Sequence, residues 1–329
     1  MSNGYHIAVV GASGVVGRTI VEVLEERGVP VSKLQLFASA RSAGKTVPFK
    51  GEDVVIEELT EESLAAPIQI AIFSAGGETS KKFAPIAAAN GVFVIDNSSA
   101  FRMDDDKKLI VPEINGKILT TEDKVIANPN CSTIQSVVPI APIHEKYGIK
   151  RIVYNTYQAV SGAGRAGIED LENNTTNNFQ YPIRETVIPQ IDVFLDNGYT
   201  KEEEKMINET HKILNDYDVN VTATCVRVPI KTGHAVSINI ETEKTFDVDT
   251  VRDEIGALPG VVIVDDIKNN RYPLQNEAEG KDEVFVGRVR RDFSVENGLN
   301  LFVVADNLRK GAATNSVQIA QKLIELGLV

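Results

Sequence analysis

The chain has little or nothing of several features that particular classes of protein require. Only two cysteines occur, Cys131 and Cys225, and no basic segment with a long apolar stretch precedes the first strand-like run. A secretory signal is therefore not expected, and so few cysteines without one point to the reducing cytoplasm. The sequence also lacks a run of about 18 apolar residues, which a membrane span needs, so we expect no membrane protein.

Positive charge is scarce as well. The 34 lysines and arginines are outnumbered by 46 aspartates and glutamates, which leaves a net charge of −12. Nucleic acids bind to basic surfaces, so we expect no nucleic-acid partner. An anionic substrate has to be held by local arginines and lysines against this overall field. We predict no metal site.

The chain is long enough for two domains. Its 329 residues exceed the usual size of a single core, and 43% hydrophobic with 24% charged residues is ordinary for a folded protein. The predicted strands of the first part are 5–11, 34–38, 54–59, 68–75, 92–96 and 124–129, and the predicted helices are 15–27 and 79–90. This alternation predicts an α/β domain with a Rossmann-type parallel sheet.

The second part has a different pattern. Its predicted strands are 151–160, 219–230, 235–243, 261–266 and a pair within 283–308 that flanks an Asn297-Gly298 turn. Only two helices, near 201–215 and 247–257, are expected to interrupt them, and 172–180 is predicted to be a loop. These patterns predict an α+β domain with a mixed, largely antiparallel sheet.

The final segment, 312–326, is an amphipathic helix that we expect to pack back on the first domain. We therefore predict one domain from residues 1–130 plus 308–329 and a second domain from residues 131–307.

The motif GASGVVG follows the first strand and opens the first helix. Gly11 permits a tight turn, Gly14 allows backbone N–H groups to approach a pyrophosphate, and Gly17 lets the helix pack on the strand. The strand–turn–helix context favours a dinucleotide site over a tight turn without a ligand. The residues predicted to contact the cofactor here are Gly11, Ser13, Gly14, Val15 and Val16.

The end of the second strand indicates which dinucleotide binds. NAD-preferring folds usually have an acidic residue there for the ribose hydroxyl, but this strand continues into Ala40-Arg41-Ser42. Arg41 and Ser42 suit a 2′-phosphate, so we predict NADP. The alternative is that Arg41 is a solvated loop residue.

Cys131 lies just past an apolar strand, in VIANPNCST. With Asn130 as a cap, a helix can start there, and its N-terminus would lower the pKa of the thiol and hold an oxyanion. Pro139 and Pro142 predict that this helix kinks or stops after two turns. The other interpretation is a small buried hydrophobic residue, which Cys225 within a strand fits. The residues alone leave both possibilities open for Cys131.

A general base has to come from elsewhere in the chain. Of four histidines, His234 follows a Lys231-Thr232-Gly233 turn between two strands, where it could project into a cleft. A turn histidine in solvent is the alternative.

Seven blocks of sequence together resemble the bacterial-type aspartate-semialdehyde dehydrogenases. In chain order they are GASGVVG, DNSSAFRMD, NPNCSTIQ, YQAVSGAG, EEEKMINET, RVPIKTGHAVS and ADNLRKGAATNSVQIA. The resemblance covers essentially the whole chain, and seven ordered blocks are far more specific than any one of them.

The resemblance implies a reaction: L-aspartyl-4-phosphate is reduced by NADPH to L-aspartate 4-semialdehyde, and phosphate is released. It places the enzyme in the biosynthesis of lysine, threonine, methionine and diaminopimelate. It also implies that the first domain binds NADP, that the second carries catalysis and dimerisation, and that the chain forms a homodimer or homotetramer.

Residue roles are carried over from the matching blocks. The resemblance implies that Cys131 is the nucleophile, that Gln158 orients the acyl group and that His234 is the acid/base. The residues implied to bind substrate or phosphate are Arg102, Asn130, Glu202, Lys205 and Arg227, and those expected near the nicotinamide are Ser161, Gly162 and Asn307. Without the resemblance, Glu202 and Lys205 could be a surface i,i+3 ion pair, and Arg102 could balance the acids beside it.

Two other enzymes and one non-enzymatic function are the alternatives. N-acetyl-γ-glutamyl-phosphate reductases have the same plan, but their nucleophile usually follows Pro-Gly, whereas Cys131 follows Asn-Pro-Asn. Glyceraldehyde-phosphate dehydrogenases share the chemistry without these blocks. A non-catalytic paralogue acting as an interaction subunit should have lost the nucleophile or the base, and both are present.

Overall fold

The computed structural model describes residues 4–65 and 67–329, and the chain divides into two compact units. One unit contains the chain up to Pro129 together with Ala312–Val329, and the other is Asn130–Gly311. The boundaries between the two units therefore lie at residues 130 and 312, whereas the sequence predicts them at residues 131 and 308.

The N-terminal unit is built on an eight-stranded sheet in the order β3-β4-β2-β1-β5-β6-β8-β7. Its strands are β1 (Tyr5–Val10), β2 (Val31–Ala38), β3 (Thr46–Phe49), β4 (Glu52–Glu58), β5 (Ile70–Phe73), β6 (Phe93–Asp96), β7 (Lys108–Leu109) and β8 (Val125–Ala127). All neighbours are parallel except the pair β3 and β4. The central strands are almost wholly apolar and buried, as expected for a sheet covered on both faces. The Rossmann-type prediction is confirmed.

Helices α1 (Val15–Glu26), α2 (Gly77–Ala89) and α3 (Pro112–Asn115) belong to the same unit, with short 3₁₀ helices at Ala40–Ser42, Glu62–Ala65 and Gly116–Ile118. Strands β3 and β7, the two edge strands, are not predicted from the sequence. The first contains Pro48 and the second has two residues, so neither carries a strong strand signal.

The C-terminal unit has a six-stranded sheet in the order β10-β9-β11-β14-β13-β12. Its strands are β9 (Ile149–Gln158), β10 (Asn220–Arg227), β11 (His234–Thr242), β12 (Val261–Ile263), β13 (Val284–Asp292) and β14 (Gly298–Ala305). The outer pairs, β10 with β9 and β12 with β13, are parallel, and the three inner pairs are antiparallel. The predicted mixed, largely antiparallel sheet and the hairpin of the last two strands are confirmed. The turn comprises residues 293–297, and Gly298 is the first residue of β14, paired with Asp292.

The helices of this unit are α4 (Cys131–Tyr147), α5 (Gly164–Asn173), α6 (Lys201–Leu214), α7 (Val248–Gly256) and α8 (Gln275–Ala278), with 3₁₀ helices at Val160–Ala163, Ile183–Glu185 and Ile267–Asn269. The expectation that only two helices interrupt the strands was wrong, because α5 and the short α8 also form. Two glycines give α5 a poor helix propensity, and Gly167 is buried where a β-carbon would lie 3.2 Å from the ring of Phe179. Tertiary packing therefore decides that this helix forms.

The prediction that the helix at Cys131 kinks or stops after two turns was also wrong, because the helix is longer than that. Helix α4 continues for 17 residues and contains both Pro139 and Pro142. Every residue from Ser132 to Ile140 is buried. Burial on all sides of the helix outweighs the hydrogen bonds that the prolines cannot donate.

After a π-helical turn at Arg309–Ala313, helix α9 (Thr314–Glu325) completes the N-terminal unit. Val317, Ala320 and Leu323 of α9 belong to the same apolar core as Ile20 and Leu24 of α1. None of the helices in the described part of the chain is long and apolar enough to cross a bilayer.

Candidate active site

The start of α4 places Cys131 at the N-terminus of a long helix. The side chain of Asn130 accepts hydrogen bonds from the backbone N–H groups of Ser132 at 3.0 Å and Thr133 at 3.4 Å. Asn130 is therefore the cap, and Cys131 is the first helical residue and half-buried. A sulfur at this position lies at the positive end of the helix dipole, which favours an anionic thiolate or oxyanion.

Glu202 on α6 gathers three of the predicted site residues. Its Oε1 accepts from Asn130 Nδ2 at 2.9 Å and from Gln158 Nε2 at 3.1 Å, and its Oε2 lies 3.0 Å from Lys205 Nζ. Burial alone would raise the pKa of the carboxyl group. The charge of Lys205 and the hydrogen bonds outweigh burial and lower the pKa to about 2, so Glu202 is ionised.

The interpretation of Glu202 and Lys205 as a surface ion pair is wrong, because the Glu202 side chain is only 6% exposed. Lys205 Nζ has a second carboxylate partner, Asp192 Oδ2, at 3.0 Å. Burial would lower the pKa of Lys205, but these two carboxylates outweigh it and raise the pKa. No role is predicted from the sequence for the segment that contains Asp192, because no local motif marks this residue.

His234 is the first residue of β11, and its ring is fully buried. Nδ1 accepts a hydrogen bond of 3.0 Å from the backbone N–H of Ala159. Burial, and next the positive charge of Arg227, lower the pKa of His234 to about 3. The ring is therefore neutral at physiological pH, and the alternative of a turn histidine in solvent is wrong.

Arg227 ends β10 and is buried beside the histidine. Its Nη1 donates a 2.7 Å hydrogen bond to the carbonyl of Ala159, and its guanidinium lies 6.0 Å from the ring centre of Phe179. A β-carbon on Gly162 would lie 2.8 Å from Arg227 Nη1 and 3.3 Å from the ring of His234. Gly162 therefore lets the backbone pass close to the Arg227 guanidinium and the His234 ring.

One hydrogen bond connects the nucleophile helix with the His234 strand, and two more connect Asn307 with the residue before His234 and with Ser161. Gln135, one turn after Cys131 on α4, donates its amide to the backbone carbonyl of His234 at 3.0 Å. Asn307 Oδ1 accepts from the backbone N–H of Gly233 at 2.9 Å, and Asn307 Nδ2 donates to Ser161 Oγ at 3.0 Å. The sequence-predicted residues of the C-terminal unit thus form one connected group around the start of α4.

A cavity of about 300 Å³ lies beside Arg227 in this unit. Arg227 and Asp192 are on its walls, so the cavity presents one cation and one anion. Phe179 and Gln190 also line it. Because Asp192 is paired with Lys205 at 3.0 Å, Arg227 is the charged group on these walls that suits a carboxylate.

Asp170 on α5 holds the loop that forms part of this wall. Its carboxylate accepts from Thr175 Oγ1 at 2.6 Å and from the backbone N–H groups of Asn177, Asn178 and Phe179 at 2.9, 2.7 and 2.9 Å. Burial would raise the pKa of Asp170, but these hydrogen bonds lower it to about 2. The predicted loop is therefore ordered around one buried charge.

The N-terminal unit holds a second cavity, of about 540 Å³, at the glycine motif. Gly11, Ser13 and Gly14 line it, and Gly11 has a φ of +90° with Ser74 O only 2.3 Å from where a β-carbon would be. Gly14 caps α1 without a side-chain hydrogen bond, so the first-turn N–H groups at Val15 and beyond are available for a phosphate. The cavity at the glycine motif therefore fits a dinucleotide.

The residues that bear on the preference for NADP or NAD lie at or just after the ends of β2 and β4, beside this cavity. Ser39 and Ala40 line the cavity, and Arg41 follows them on an exposed 3₁₀ turn, whereas Ser42 is buried. Glu58 at the end of β4 also lines the cavity, and sequence reasoning missed it.

Arg102 is the one predicted substrate residue that belongs to the N-terminal unit. It is buried, and it donates Nε to Asn128 O and Nη2 to Asn97 O, both at 2.9 Å. Both hydrogen bonds go to backbone carbonyls of the same unit.

Comparisons with known proteins agree with this architecture. Two family models match, the semialdehyde dehydrogenase NAD binding domain over residues 6–121 and the semialdehyde dehydrogenase dimerisation domain over residues 140–310. The aspartate-semialdehyde dehydrogenase of Aquifex aeolicus is 52% identical, with 99% of this chain and 100% of that protein covered.

The similar solved structures are also aspartate semialdehyde dehydrogenases. The crystal structure of aspartate semialdehyde dehydrogenase II from Vibrio cholerae, complexed with ASA, has a TM-score of 0.95 and 48% identity, and the match covers 98% of this chain and 99% of that one. A Candida albicans aspartate semialdehyde dehydrogenase with NADP shares the fold, at 23% identity and a TM-score of 0.78 over 99% of this chain and 100% of that one. Because both domains match and full-length identity exceeds half in one relative, this chain belongs to the aspartate-semialdehyde dehydrogenase family.

Proposed function

We propose that the chain catalyses the NADPH-dependent reductive dephosphorylation of L-aspartyl-4-phosphate to L-aspartate 4-semialdehyde and phosphate. The observation that carries this proposal is a set of hydrogen bonds around the start of α4. Asn130, the cap residue before Cys131, and Gln158 both donate to Glu202, and Gln135 donates to the backbone carbonyl of His234. The reaction serves the biosynthesis of lysine, threonine, methionine and diaminopimelate. The two free cysteines, Cys131 and Cys225, suit the reducing cytoplasm, where we place the enzyme.

The substrate is an acyl phosphate that also bears an ammonium and a carboxylate. Arg227 on the cavity wall binds the carboxylate through a charge-assisted contact, worth about 1.5–3 kcal/mol. Glu202, kept ionised by its neighbours, binds the ammonium. The cations Lys205 and Arg102 bind the phosphate. Asn130 orients the cluster because it contacts Glu202 while it caps the helix of the nucleophile.

The chemistry passes through a thioester on Cys131. The thiolate forms a bond to the acyl carbon, the bond from that carbon to the phosphate oxygen breaks, and phosphate leaves. NADPH, when bound, supplies a hydride to the thioester carbon. Gln158 orients the acyl group, and His234 is the proposed acid/base group for the oxygen that becomes negative. Collapse of the resulting anion breaks the carbon–sulfur bond, which frees the aldehyde and returns the thiolate.

NADP is the proposed cofactor rather than NAD. The strand that precedes Arg41 ends without an acidic residue, and Arg41 and Ser42 are the residues for the 2′-phosphate. The residues for the pyrophosphate are Gly11, Ser13, Gly14, Val15 and Val16, and those for the nicotinamide half are Ser161, Gly162 and Asn307. The bonds that Asn307 makes to Ser161 and Gly233 support this group as a unit.

The chain is proposed to assemble as a homodimer, and a homotetramer is the alternative. The dimerisation-domain match covers residues 140–310, which include the whole six-stranded sheet. Light scattering of the purified chain decides between a monomer, a dimer and a tetramer; a monomer at working concentrations would contradict the proposal.

The activity is tested by following NADPH formation at alkaline pH from aspartate semialdehyde, phosphate and NADP. N-acetyl-glutamate semialdehyde is the competing substrate for the rival reductase. We expect phosphate-dependent turnover with aspartate semialdehyde and at least about a hundredfold lower kcat/KM with the acetylated compound, because acetylation removes the ammonium that Glu202 binds. Equal rates with both compounds would contradict the substrate assignment.

A further inference from the structure

Two carboxyl groups of helix α6 hold the residue before the nucleophile. The backbone N–H of Asn130 donates to Glu209 Oε2 at 2.6 Å, and the side-chain Nδ2 of Asn130 donates to Glu202 Oε1 at 2.9 Å. Glu209 is only 1% exposed, and no role is predicted for it from the sequence. Both the main chain and the side chain of Asn130 are therefore fixed by one neighbouring helix.

The two carboxyl groups lie on the same face of α6. Glu202, Met206 and Glu209 follow each other at helical spacing, and all three are buried. The hydroxyl of Thr133, in the first turn of α4, donates to the sulfur of Met206 at 3.5 Å. This face of α6 is therefore packed along the start of the nucleophile helix.

The bond from Asn130 to Glu209 completes a capping arrangement. In a capping box, the N-cap side chain accepts from the third helical residue, and the side chain of that residue accepts from the N-cap N–H. Helix α6 has both halves of its own box, in Thr200 and Glu203. In α4 the third helical residue is Thr133, and the acceptor for the N–H of Asn130 is instead Glu209, 79 residues away in the chain. The geometry at the start of α4 therefore depends on α6.

We propose that Glu209 is a positioning residue that fixes the backbone before Cys131 and so sets where the nucleophilic sulfur lies relative to Glu202. Cys131 directly follows the cap residue, so the orientation of the cap is passed on to the first residue of the helix. Glu202, the proposed ammonium site, is on the same helix as Glu209 and two turns away. One helix thus sets the spacing between the group that attacks the substrate and a group that binds it. The inference deepens the proposed function and rests on it.

A carboxyl group near a thiol has two effects with opposite consequences. As an acceptor of fixed reach, Glu209 orients the cap and supports catalysis, whereas a negative charge there would disfavour the thiolate of Cys131. The two effects are separated by the length and the charge of the side chain at this position.

Three substitutions of Glu209 make this separation. Glu209→Gln keeps an accepting oxygen at the same reach without the charge. Glu209→Asp keeps the acidic group on a side chain that is one methylene shorter, and Glu209→Ala removes the acceptor. Because the proposal assigns the effect to position, Glu209→Gln is expected to be the active variant.

The first measurement observes the bond in the full-length chain. Pro129-Asn130 is the only Pro-Asn pair in the sequence, so ¹³C-carbonyl proline combined with ¹⁵N-asparagine leaves one signal in an HNCO spectrum, that of the Asn130 amide. A short hydrogen bond moves an amide proton downfield. We therefore expect the Asn130 proton to move upfield in Glu209→Ala and to keep most of its shift in Glu209→Gln. An unchanged shift in Glu209→Ala would overturn the proposal.

The second measurement is kinetic. We expect Glu209→Ala and Glu209→Asp to lower kcat by about 10- to 100-fold and to change KM for aspartate semialdehyde by less than about threefold, because a misplaced sulfur impairs bond formation rather than binding. Glu209→Gln should stay within about fivefold of the parental kcat. A kcat in Glu209→Gln no higher than in Glu209→Asp would overturn the proposal, and this comparison decides it even where Glu209→Ala does not fold.

Thr210→Val is the matched control within α6. Thr210 is fully buried, and its hydroxyl donates to the carbonyl of Met206 at 2.6 Å and contacts the hydroxyl of Tyr154 on β9 at 3.2 Å. We expect Thr210→Val to lower the melting temperature and to keep kcat within about threefold. A loss of kcat as large as in Glu209→Ala would assign the effect to the general stability of α6 and overturn the proposal. If the parent chain turns over no aspartate semialdehyde, the proposed function fails, and the Asn130 amide shift still decides whether Glu209 holds the cap.

Discussion

A β-carbon on Gly311 would lie 2.8 Å from the Cβ of Cys131 and 3.2 Å from its Cα. The backbone of the nucleophile is therefore packed against a residue without a side chain. Gly311 belongs to the π-helical turn Arg309–Ala313, a kind of turn that is frequent at functional sites. Because Gly311 and Cys131 are this close, the path of the backbone at Gly311 affects where the Cys131 sulfur lies, although the two residues are 180 positions apart in the chain.

Substitution of Gly311 should therefore impair catalysis more than folding. We expect Gly311→Ala to lower kcat by about 10- to 100-fold, because the added methyl group displaces Cys131 from its place at the helix start. Gly77→Ala is the matched control, since Gly77 is also helical and its β-carbon would meet open space. Steady-state kinetics and thermal melts of both variants test this. Parental kcat in Gly311→Ala would show that the contact does not position the sulfur.

The two cysteines provide a direct test of the nucleophile. Cys131→Ala should reduce turnover below detection while NADP still binds, because no thiolate remains to form the thioester. Cys225 is fully buried in β10, and burial raises the pKa of its thiol, so Cys225→Ala should keep kcat within about threefold and lose about 1 kcal/mol of stability. NADP binding is measured by fluorescence titration. Phosphate-dependent oxidation of aspartate semialdehyde by Cys131→Ala would remove this residue from the mechanism.

Asp170 should make stability depend on pH in a defined direction. Its pKa of about 2 in the folded protein is below the ordinary value of about 3.9, so its contribution to the free energy of unfolding is full above pH 4 and is lost as pH falls towards 2. At pH 7 we expect Asp170→Asn to lower that free energy by about 1–3 kcal/mol. The difference from the parent should shrink near pH 3.

Urea unfolding at the two pH values measures the effect of Asp170→Asn. Asp253→Asn, an exposed aspartate on α7, is the control that should change stability by less than about 0.5 kcal/mol. In addition, Asp170→Asn should raise KM for aspartate semialdehyde, because Asp170 holds the N–H of Phe179 and Phe179 lines the cavity beside Arg227. A difference between Asp170→Asn and the parent that grows at low pH would contradict the assigned charge.

Cofactor preference should depend on Arg41. Arg41→Ala removes the guanidinium proposed to bind the 2′-phosphate, so the ratio of kcat/KM for NADP over NAD should fall by about tenfold or more. Lys45→Ala, which removes another exposed cation of the same segment, should leave the ratio unchanged. The ratio is measured at saturating aspartate semialdehyde and phosphate. If Arg41→Ala keeps the parental ratio, another group reads the 2′-phosphate.

Local signals in the sequence were sufficient for most elements, but not for β3, β7, α5 and α8, and they located the starts of the helices that carry chemistry. Alternating apolar runs predict the strands of both sheets, and the glycine motif predicts the turn before α1. Asn130 before Cys131 predicts a helix start because a cap acts over two or three residues, and the structure has that cap. Such patterns depend on neighbours within one or two turns of the chain, so they can be read without knowing the fold.

What the sequence by itself determined is therefore the order of elements, the class of each sheet and the identity of the chemical groups. The tertiary structure decided how those groups are arranged: that α4 passes through Pro139 and Pro142, that Asp192 shares Lys205 with Glu202, and that the backbone of Ala159 contacts both His234 and Arg227. Ala159 and His234 are 75 residues apart, and the bond between them exists only because β9 and β11 pair. Hydrogen bonds and burial between such distant residues set protonation and orientation, and no local pattern encodes them.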